Sequence, residues 1–415
     1  MPNRISLPKD RIRVLLLEGV SPSAVELFAA AGYGNVTRLP KALDGAALAE
    51  AMAGVHILGI RSRTQVDAAA LAAADRLITV GCFCIGTNQV DLETTRLRGI
   101  PVFNAPFSNT RSVAELVMGE VVMLLRGIPD RSRSAHQGGW DKSAEGSFEV
   151  RGRTLGIVGY GNIGSQLSVL AEAFGMRVIY WDHTTKLPHG NARPCATLGE
   201  LLGEADIVTL HVPETADTIG MIGAAEVAAM KSGAILINNA RGSLVDLDAV
   251  AAALRAGRLL GVAADVFPEE PARNGEPFAT PLQGLPNVIL TPHIGGSTAE
   301  AQSRIGQEVA RKLIDFSDSG ETMGAVNFPQ VQLPARPTGT RFIHVQRNLP
   351  GMLGRLNDVF SRGQVNIAAQ FYQTDGEVGY VVLETDATDA DAEALLTEIR
   401  AIPGTIRARL LYERR

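Results

Sequence analysis

One segment restricts the fold of this chain more than any other: Leu155-Gly156-Ile157-Val158-Gly159-Tyr160-Gly161-Asn162-Ile163-Gly164. An apolar run enters a G-x-G-x-x-G turn, a helical stretch follows, and a second apolar run, Val178-Ile179-Tyr180-Trp181, ends at Asp182, 18 residues past Gly164. This is the pattern of a buried strand, a tight turn, a helix and a second strand tipped by an acid. The glycines let the backbone turn sharply and approach a pyrophosphate, and the first turn of the helix offers free N–H groups and a positive dipole end. Gly159, Gly161, Asn162, Ile163 and Gly164 are therefore candidate cofactor contacts. An acid at the second strand tip accepts hydrogen bonds from an adenosine ribose and repels a 2′-phosphate, so Asp182 favours NAD over NADP.

The chain carries its own control for this motif. Gly32-Tyr33-Gly34-Asn35-Val36-Thr37 repeats the first positions but has Thr37 in place of the third glycine. It follows an alanine-rich helical stretch and leads into a strand, the reverse of the required order. It is expected to be a surface turn.

With 415 residues the chain has room for two or three domains, each with its own core. A hydrophobic content of 46% and a net charge of −5 describe an ordinary globular protein, with no basic excess for nucleic acid. The three cysteines, Cys82, Cys84 and Cys195, fit neither a disulfide framework nor a zinc site, so no metal is expected. No signal-like segment follows Met1-Pro2-Asn3-Arg4, and no uncharged apolar run reaches membrane-spanning length; a cytoplasmic protein is expected.

Strand-like and helical patterns alternate from Arg13 to about residue 103, as in a parallel α/β sheet. Ser112 and Glu115 form an S-x-x-E capping box ahead of an apolar helix that is a candidate connector between domains. A second α/β run has strands predicted over 154–158, 177–181, 207–210, 234–238, 260–265 and 288–290, six strands of a doubly wound sheet. Beyond a helical stretch lies a proline-containing linker at 330–339. Residues 341–412 then read strand, helix, strand, strand, helix, strand, the ferredoxin-like order. The fold class is α/β: two doubly wound Rossmann-like domains and a C-terminal ferredoxin-like one.

Three clusters fall at C-terminal strand ends of the second run, where open α/β sheets hold ligands. They are Asn238-Asn239-Ala240-Arg241-Gly242, Asp265-Val266-Phe267-Pro268-Glu269-Glu270-Pro271 and Thr291-Pro292-His293-Ile294-Gly295-Gly296. Arginine, carboxylate and histidine are what hydride transfer to or from a 2-hydroxy acid requires. The arginine grips the substrate carboxylate in a bidentate fork. The histidine takes the hydroxyl proton, and the carboxylate orients the imidazole and stabilises its charged form. Singly, each has a plain structural explanation, such as an ion pair or a turn. Together, downstream of a nucleotide motif, they point to catalysis.

These motifs resemble the D-2-hydroxyacid dehydrogenase family, and most closely its bacterial branch that oxidises 3-phospho-D-glycerate and carries a C-terminal ACT domain. Branch-type runs are also present: Arg61-Ser62-Arg63-Thr64, Gly81-Cys82-Phe83-Cys84-Ile85-Gly86-Thr87-Asn88 and Pro106-Phe107-Ser108-Asn109-Thr110-Arg111-Ser112. The resemblance spans essentially the whole chain. It implies a substrate-binding domain over 1–107 completed by 298–335, an NAD domain over 108–297 and an ACT domain over 338–415. It makes Arg241 the substrate-binding residue, His293 the acid/base and Glu270, the acid directly before the proline, its partner in preference to Glu269. Asp265 matches the contact to the nicotinamide carboxamide, and Asn239, Ala240, Arg241, His293, Gly295 and Gly296 fall on cofactor-contacting positions.

The implied substrate is 3-phosphoglycerate, lying in the cleft between the first two domains, with its phosphate toward Arg61, Ser62 and Arg63. Two arginines separated by one residue can converge on a phosphate, though exposed ion pairs account for the spacing equally well. Asn109, Arg111 and Lys142 are further candidates, and Lys142 also reads as a plain surface lysine. The ACT resemblance implies pairing of copies, a homotetramer, and L-serine as effector near Gln346, Asn348 and Asn366. Gln346 stands where serine-inhibited relatives carry histidine, and Arg336-Pro337-Thr338-Gly339 replaces a double-glycine hinge, so feedback inhibition is in question. Two rivals remain. One is reduction of 2-oxoglutarate, with the arginine pair holding a second carboxylate. The other is an NAD-sensing, corepressor-like protein without turnover.

Overall fold

A computed structural model describes residues 7–271, 275–334 and 339–411. Met1–Arg4, the linker residues 335–338 and the end of the last predicted strand at Tyr412 lie outside the described residues. By internal contacts the chain forms two compact units, Met1–Ser108 with Gln302–Arg415, and Asn109–Ala301.

The first unit opens with β1 (Val14–Leu16), α1 (Pro22–Ala30), β2 (Val36–Arg38), α2 (Gly45–Met52), β3 (Ile57–Ile60), α3 (Ala68–Ala73), β4 (Thr79–Cys82), α4 (Leu92–Leu97) and β5 (Val102–Asn104). All strands are parallel, in the order β2-β1-β3-β4-β5. Successive residues of β1 bury opposite faces. Leu15 packs with Leu48, Met52 and Leu71, and Leu16 packs with Phe28 and residues of the helix after the second unit. The Gly32–Thr37 segment is a turn into β2, as expected, but it is not wholly on the surface. Tyr33 is buried and its hydroxyl donates to Asp318 at 2.8 Å, an anchor that no local pattern reveals.

The second unit contains α5 (Thr110–Leu125), α6 (Ile128–His136), β6 (Thr154–Val158), α7 (Asn162–Ala173), β7 (Arg177–Trp181), β8 (Arg193–Pro194), α8 (Leu198–Glu204), β9 (Ile207–Leu210), α9 (Ala224–Ala229), β10 (Ala234–Asn238), α10 (Leu247–Arg255), β11 (Leu259–Ala264) and β12 (Val288–Leu290). Its parallel sheet runs β12-β11-β10-β9-β6-β7-β8, seven strands against the six expected. The additional strand, β8, is a polar two-residue edge ending in proline, without an apolar signature. The expected capping box is also replaced. Helix α5 starts at Thr110, so Ser112 already lies inside it and bonds Thr298, while Glu115 pairs with Arg111 one turn earlier at 2.6 Å.

The chain returns through α11 (Ala299–Ser319) to β13 (Thr340–Arg347), α12 (Met352–Arg362), β14 (Ile367–Thr374), β15 (Val378–Thr385), α13 (Asp389–Ala401) and β16 (Thr405–Leu411). The four-stranded antiparallel sheet is ordered β14-β15-β13-β16. Phe342, Val381 and Leu383 face α12 and α13. Ile343, Val345, Tyr380 and Val382 on the opposite face join the core of the first unit with Phe316, Phe328 and Val331. Burial on both faces explains why β15 reads as a continuous apolar run rather than an alternation. The buried Arg341 guanidinium donates to the Glu384 carboxylate and to the Ser319 carbonyl, while its Nε is left without a partner. Among the described residues no helix is long and apolar enough to cross a membrane. No group of three or more His, Cys, Asp or Glu among them is placed to hold a metal.

Candidate active site

The glycine turn has the geometry a pyrophosphate needs. Gly159 adopts φ +94°, and a Cβ there would lie 2.7 Å from the His211 carbonyl oxygen. A Cβ on Gly164 would lie 2.3 Å from the Gly159 oxygen, so only glycine allows α7 to start this close to β6. A Cβ on Gly161, by contrast, would meet nothing within 4 Å, which leaves the approach to the Asn162–Ile163 helix start open. Asp182 is nearly buried and accepts from Tyr160 N–H at 2.9 Å and from the Thr184 N–H and hydroxyl at 3.0 Å. Burial pushes its pKa up, but these donors and Lys186 outweigh burial and hold it ionised below the usual range. Asp182 thus braces the glycine turn besides offering a carboxylate edge. The glycine cradle, open helix start and anionic strand tip fit a dinucleotide with a free ribose 2′-hydroxyl.

Next to this cradle, Asn238 folds the end of β10 into a turn. Its Nδ2 donates to the Arg241 carbonyl at 2.9 Å and its Oδ1 accepts from Ala240 N–H at 3.2 Å. The half-buried Arg241 immediately precedes the short 3-10 turn Gly242–Leu244. At the end of β11 the buried Asp265 carboxylate accepts from Ile294 N–H at 2.8 Å, Gly295 N–H at 2.7 Å and the Thr291 hydroxyl at 2.5 Å. These bonds pin the histidine loop. His293 itself sits at φ +53°, a left-handed conformation uncommon for a non-glycine residue.

His293 Nδ1 is 2.8 Å from Glu270 Oε2, and Phe267 N–H donates to Glu270 Oε1 at 3.1 Å. Glu270, and not the exposed Glu269, reaches the ring. The Glu270 bond raises the His293 pKa against the opposing effect of burial. Burial pushes Glu270 upward, but His293, the Phe267 N–H and the Arg241 charge together lower it. With Nδ1–H held by the carboxylate, Nε2 is the nitrogen left to exchange a proton. The arrangement combines a poised acid/base with a nearby guanidinium.

The remaining predicted residues are placed unevenly. Arg61 is half-buried, and Ser62 and Arg63 are exposed on a turn whose organiser no sequence motif marks. That organiser is Glu18, at φ +60° just past β1. Its Oε1 accepts from the N–H groups of Arg61 at 3.1 Å and Thr64 at 2.9 Å, and its Oε2 accepts from that of Arg63 at 3.0 Å. The only hint in the sequence is an acid-glycine pair at a strand end. Asn109 caps α5 against Gly296, where a Cβ would meet Asn109 Nδ2 at 2.8 Å. Lys142 is exposed, and Arg111 is engaged with Glu115.

In the C-terminal module, Gln346 is fully buried with both amide heavy atoms lacking a hydrogen-bond partner. Asn348 nearby accepts from the Tyr372 hydroxyl at 2.9 Å. Asn366 lies at the other end of the sheet. Gln346 pairs with Gly379 in the ladder, whereas Ile367, next to Asn366, pairs with Thr385, roughly 20 Å away at about 3.3 Å per residue. One copy of the chain does not bring the three together.

Residues 118–295 match the domain family described as D-isomer specific 2-hydroxyacid dehydrogenase, NAD binding domain, and residues 342–407 match the AHAS small subunit-like ACT domain. Among solved structures, D-lactate dehydrogenase from Aquifex aeolicus, complexed with NAD and lactic acid, aligns with a TM-score of 0.63 at 26% identity, covering 73% of this chain and 95% of that one. The class defined by fold and site is the D-isomer-specific 2-hydroxyacid dehydrogenases. D-3-phosphoglycerate dehydrogenase of Haemophilus influenzae is 55% identical over 412 residues, 99% of this chain and 100% of the relative. That of Escherichia coli K12 is 54% identical over 409 residues. The chain belongs to the D-3-phosphoglycerate dehydrogenase family.

Proposed function

We propose that this chain oxidises 3-phospho-D-glycerate at C2 to 3-phosphooxypyruvate with NAD, the first step of serine biosynthesis. The observation that carries this reading is the 2.8 Å contact of His293 Nδ1 with Glu270, placed with Arg241 beside the dinucleotide cradle. Arg241 holds the substrate carboxylate in a two-pronged bond and sets the C2 hydroxyl toward His293. Nε2 of His293 takes the hydroxyl proton as the C2–H bond breaks, and Glu270 stabilises the resulting imidazolium through Nδ1–H. The nicotinamide supplies the acceptor for the two electrons and the hydrogen that leave C2. Asp265 keeps the His293 loop in register, and Asp182 disfavours a cofactor with a 2′-phosphate. Arg61 and Arg63 receive the phosphate, on a turn shaped by Glu18.

The test is reduction of 3-phosphohydroxypyruvate by NADH, with and without L-serine. His293→Ala is expected to abolish turnover while NADH still binds. Full activity in this variant refutes the acid/base role, and no turnover by the wild type favours an NAD-sensing protein. Guanidiniums accept a carboxylate as readily as a phosphate, so 2-oxoglutarate is the second substrate to compare, by kcat/KM. L-serine binding between paired ACT modules of a homotetramer belongs to the same reading. It is supported by the unsatisfied amide of Gln346 and by the distance of Asn366 from it within one chain.

A further inference from the structure

Glu120, on the buried side of α5, has no role in the reaction described above, yet it is a fully buried carboxyl directly beneath the turn that carries Arg241. Asn239 Nδ2 donates to its Oε2 at 2.8 Å. The second oxygen of each group, Glu120 Oε1 and Asn239 Oδ1, is buried without a hydrogen-bond partner. For an ionised carboxylate this leaves two acceptors facing no donor, which is costly away from water. A single proton resolves both. On Oε1 it makes that atom a donor, and the unpartnered Oδ1 of the same amide that already bonds Oε2 is an acceptor for it. A carboxylic acid and a primary amide then close a planar ring of two hydrogen bonds.

We propose that Glu120 is kept as a carboxylic acid in the folded enzyme, and that its paired bonds to Asn239 make it a positioning residue for Arg241. The proposal rests on the reading of Arg241 as the carboxylate-binding residue. Asn238 and Asn239 point to opposite sides of the strand end. Asn238 closes the turn on itself, and Asn239 ties it to α5, so the backbone turn that carries Arg241 is held from both sides.

The surroundings favour the neutral acid. The strands packed near α5, β10, β11 and β12, contain no titratable residue within their spans. Of the helices against it, α7 turns its Glu172 to solvent, and the charged residues of α6, Asp130, Arg131, Arg133 and His136, are none of them buried. Asp265, at the end of β11, acts on Glu120 and opposes a second negative charge. Burial pushes the Glu120 pKa up to about 8, against the bond from Asn239 and with the help of Asp265.

Glu120→Gln preserves both bonds of the ring, and Glu120→Leu removes them at similar volume. Glu120→Gln should keep kcat/KM for 3-phosphohydroxypyruvate within about threefold of wild type at pH 7, while Glu120→Leu should lose at least about tenfold, mainly in KM, with NADH binding retained. Beyond the high-pH limb set by His293, the wild-type profile should show a further fall in kcat/KM as pH passes about 8 that Glu120→Gln lacks. Infrared spectra of the wild type at pH 7 should contain the C=O stretch of a protonated carboxyl that is missing from Glu120→Gln. This band is read even if Glu120→Leu does not fold and even if the substrate assignment is wrong. Absence of the band, Glu120→Gln as impaired as Glu120→Leu, or Glu120→Leu as active as wild type would each overturn the proposal.

Discussion

Replacing Gly242 by alanine should damage catalysis through space alone. Gly242 follows Arg241 and starts the 3-10 turn Gly242–Leu244, with a φ outside the left-handed region, so alanine can adopt its backbone conformation. What it lacks is room. A Cβ would lie 1.9 Å from the Phe267 carbonyl carbon, 2.2 Å from its oxygen and 2.4 Å from Pro268 N. Carbon atoms in contact settle about 3.5 Å apart or more, so the two segments must separate by at least about 1.6 Å. The obstacle is backbone and cannot rotate away. Phe267 N–H holds Glu270 Oε1, so this displacement shifts the carboxylate that orients His293. Misplacing a catalytic group by about 1 Å costs on the order of 10²-fold in rate, or about 2.7 kcal/mol of activation free energy. Overpacking of this kind destabilises by about 1–3 kcal/mol. The assay is steady-state reduction of 3-phosphohydroxypyruvate by NADH, with NADH affinity from fluorescence titration and stability from urea unfolding. Gly242→Ala should lose kcat by about 10²-fold or more, with NADH affinity near wild type because the Gly159–Gly164 turn is untouched. Full kcat, or a loss confined to NADH affinity, refutes the idea that contact between these two segments positions the dyad.

Two further outcomes follow from the same geometry. In Glu270→Gln the group that raises the His293 pKa loses its charge, so the imidazolium gives up its proton at lower pH. The reductive reaction needs that proton, and its high-pH limb should move to lower pH together with a loss in kcat of about 10²-fold; an unmoved limb removes Glu270 from its role. Glu18→Gln leaves one acceptor oxygen where two served three backbone N–H groups, and it turns an amide donor on at least one of them. The KM for 3-phosphohydroxypyruvate should rise about tenfold with kcat little changed, the size of one lost charge-assisted hydrogen bond; an unchanged KM means the Arg61–Thr64 turn does not depend on Glu18.

The parts legible in the sequence are those set by short-range geometry or by strand order. The Gly159–Gly164 turn and Asp182 lie in one strand-helix-strand unit, where covalent spacing nearly determines position. Arg241, Glu270 and His293 are far apart in sequence, but each follows a strand, and a doubly wound parallel sheet brings such ends to one edge. Local patterns failed where a distant partner decided the outcome. Ser112 satisfies the capping pattern, yet the distant Thr298 claims its side chain. Tyr33 sits in a turn-like segment, yet Asp318 draws it inside.

The sequence by itself determined the cofactor type and the reaction class and nominated three residues at the strand ends, because these depend on motif spacing and topology. Only the tertiary structure decided what holds those residues in place. Glu18 lies more than 40 residues from the turn it organises, and Glu120 lies 119 residues from Asn239. A carboxylate on a surface and one buried beneath an active-site turn are written with the same letter. They differ in the donors around them and in the water that folding removes.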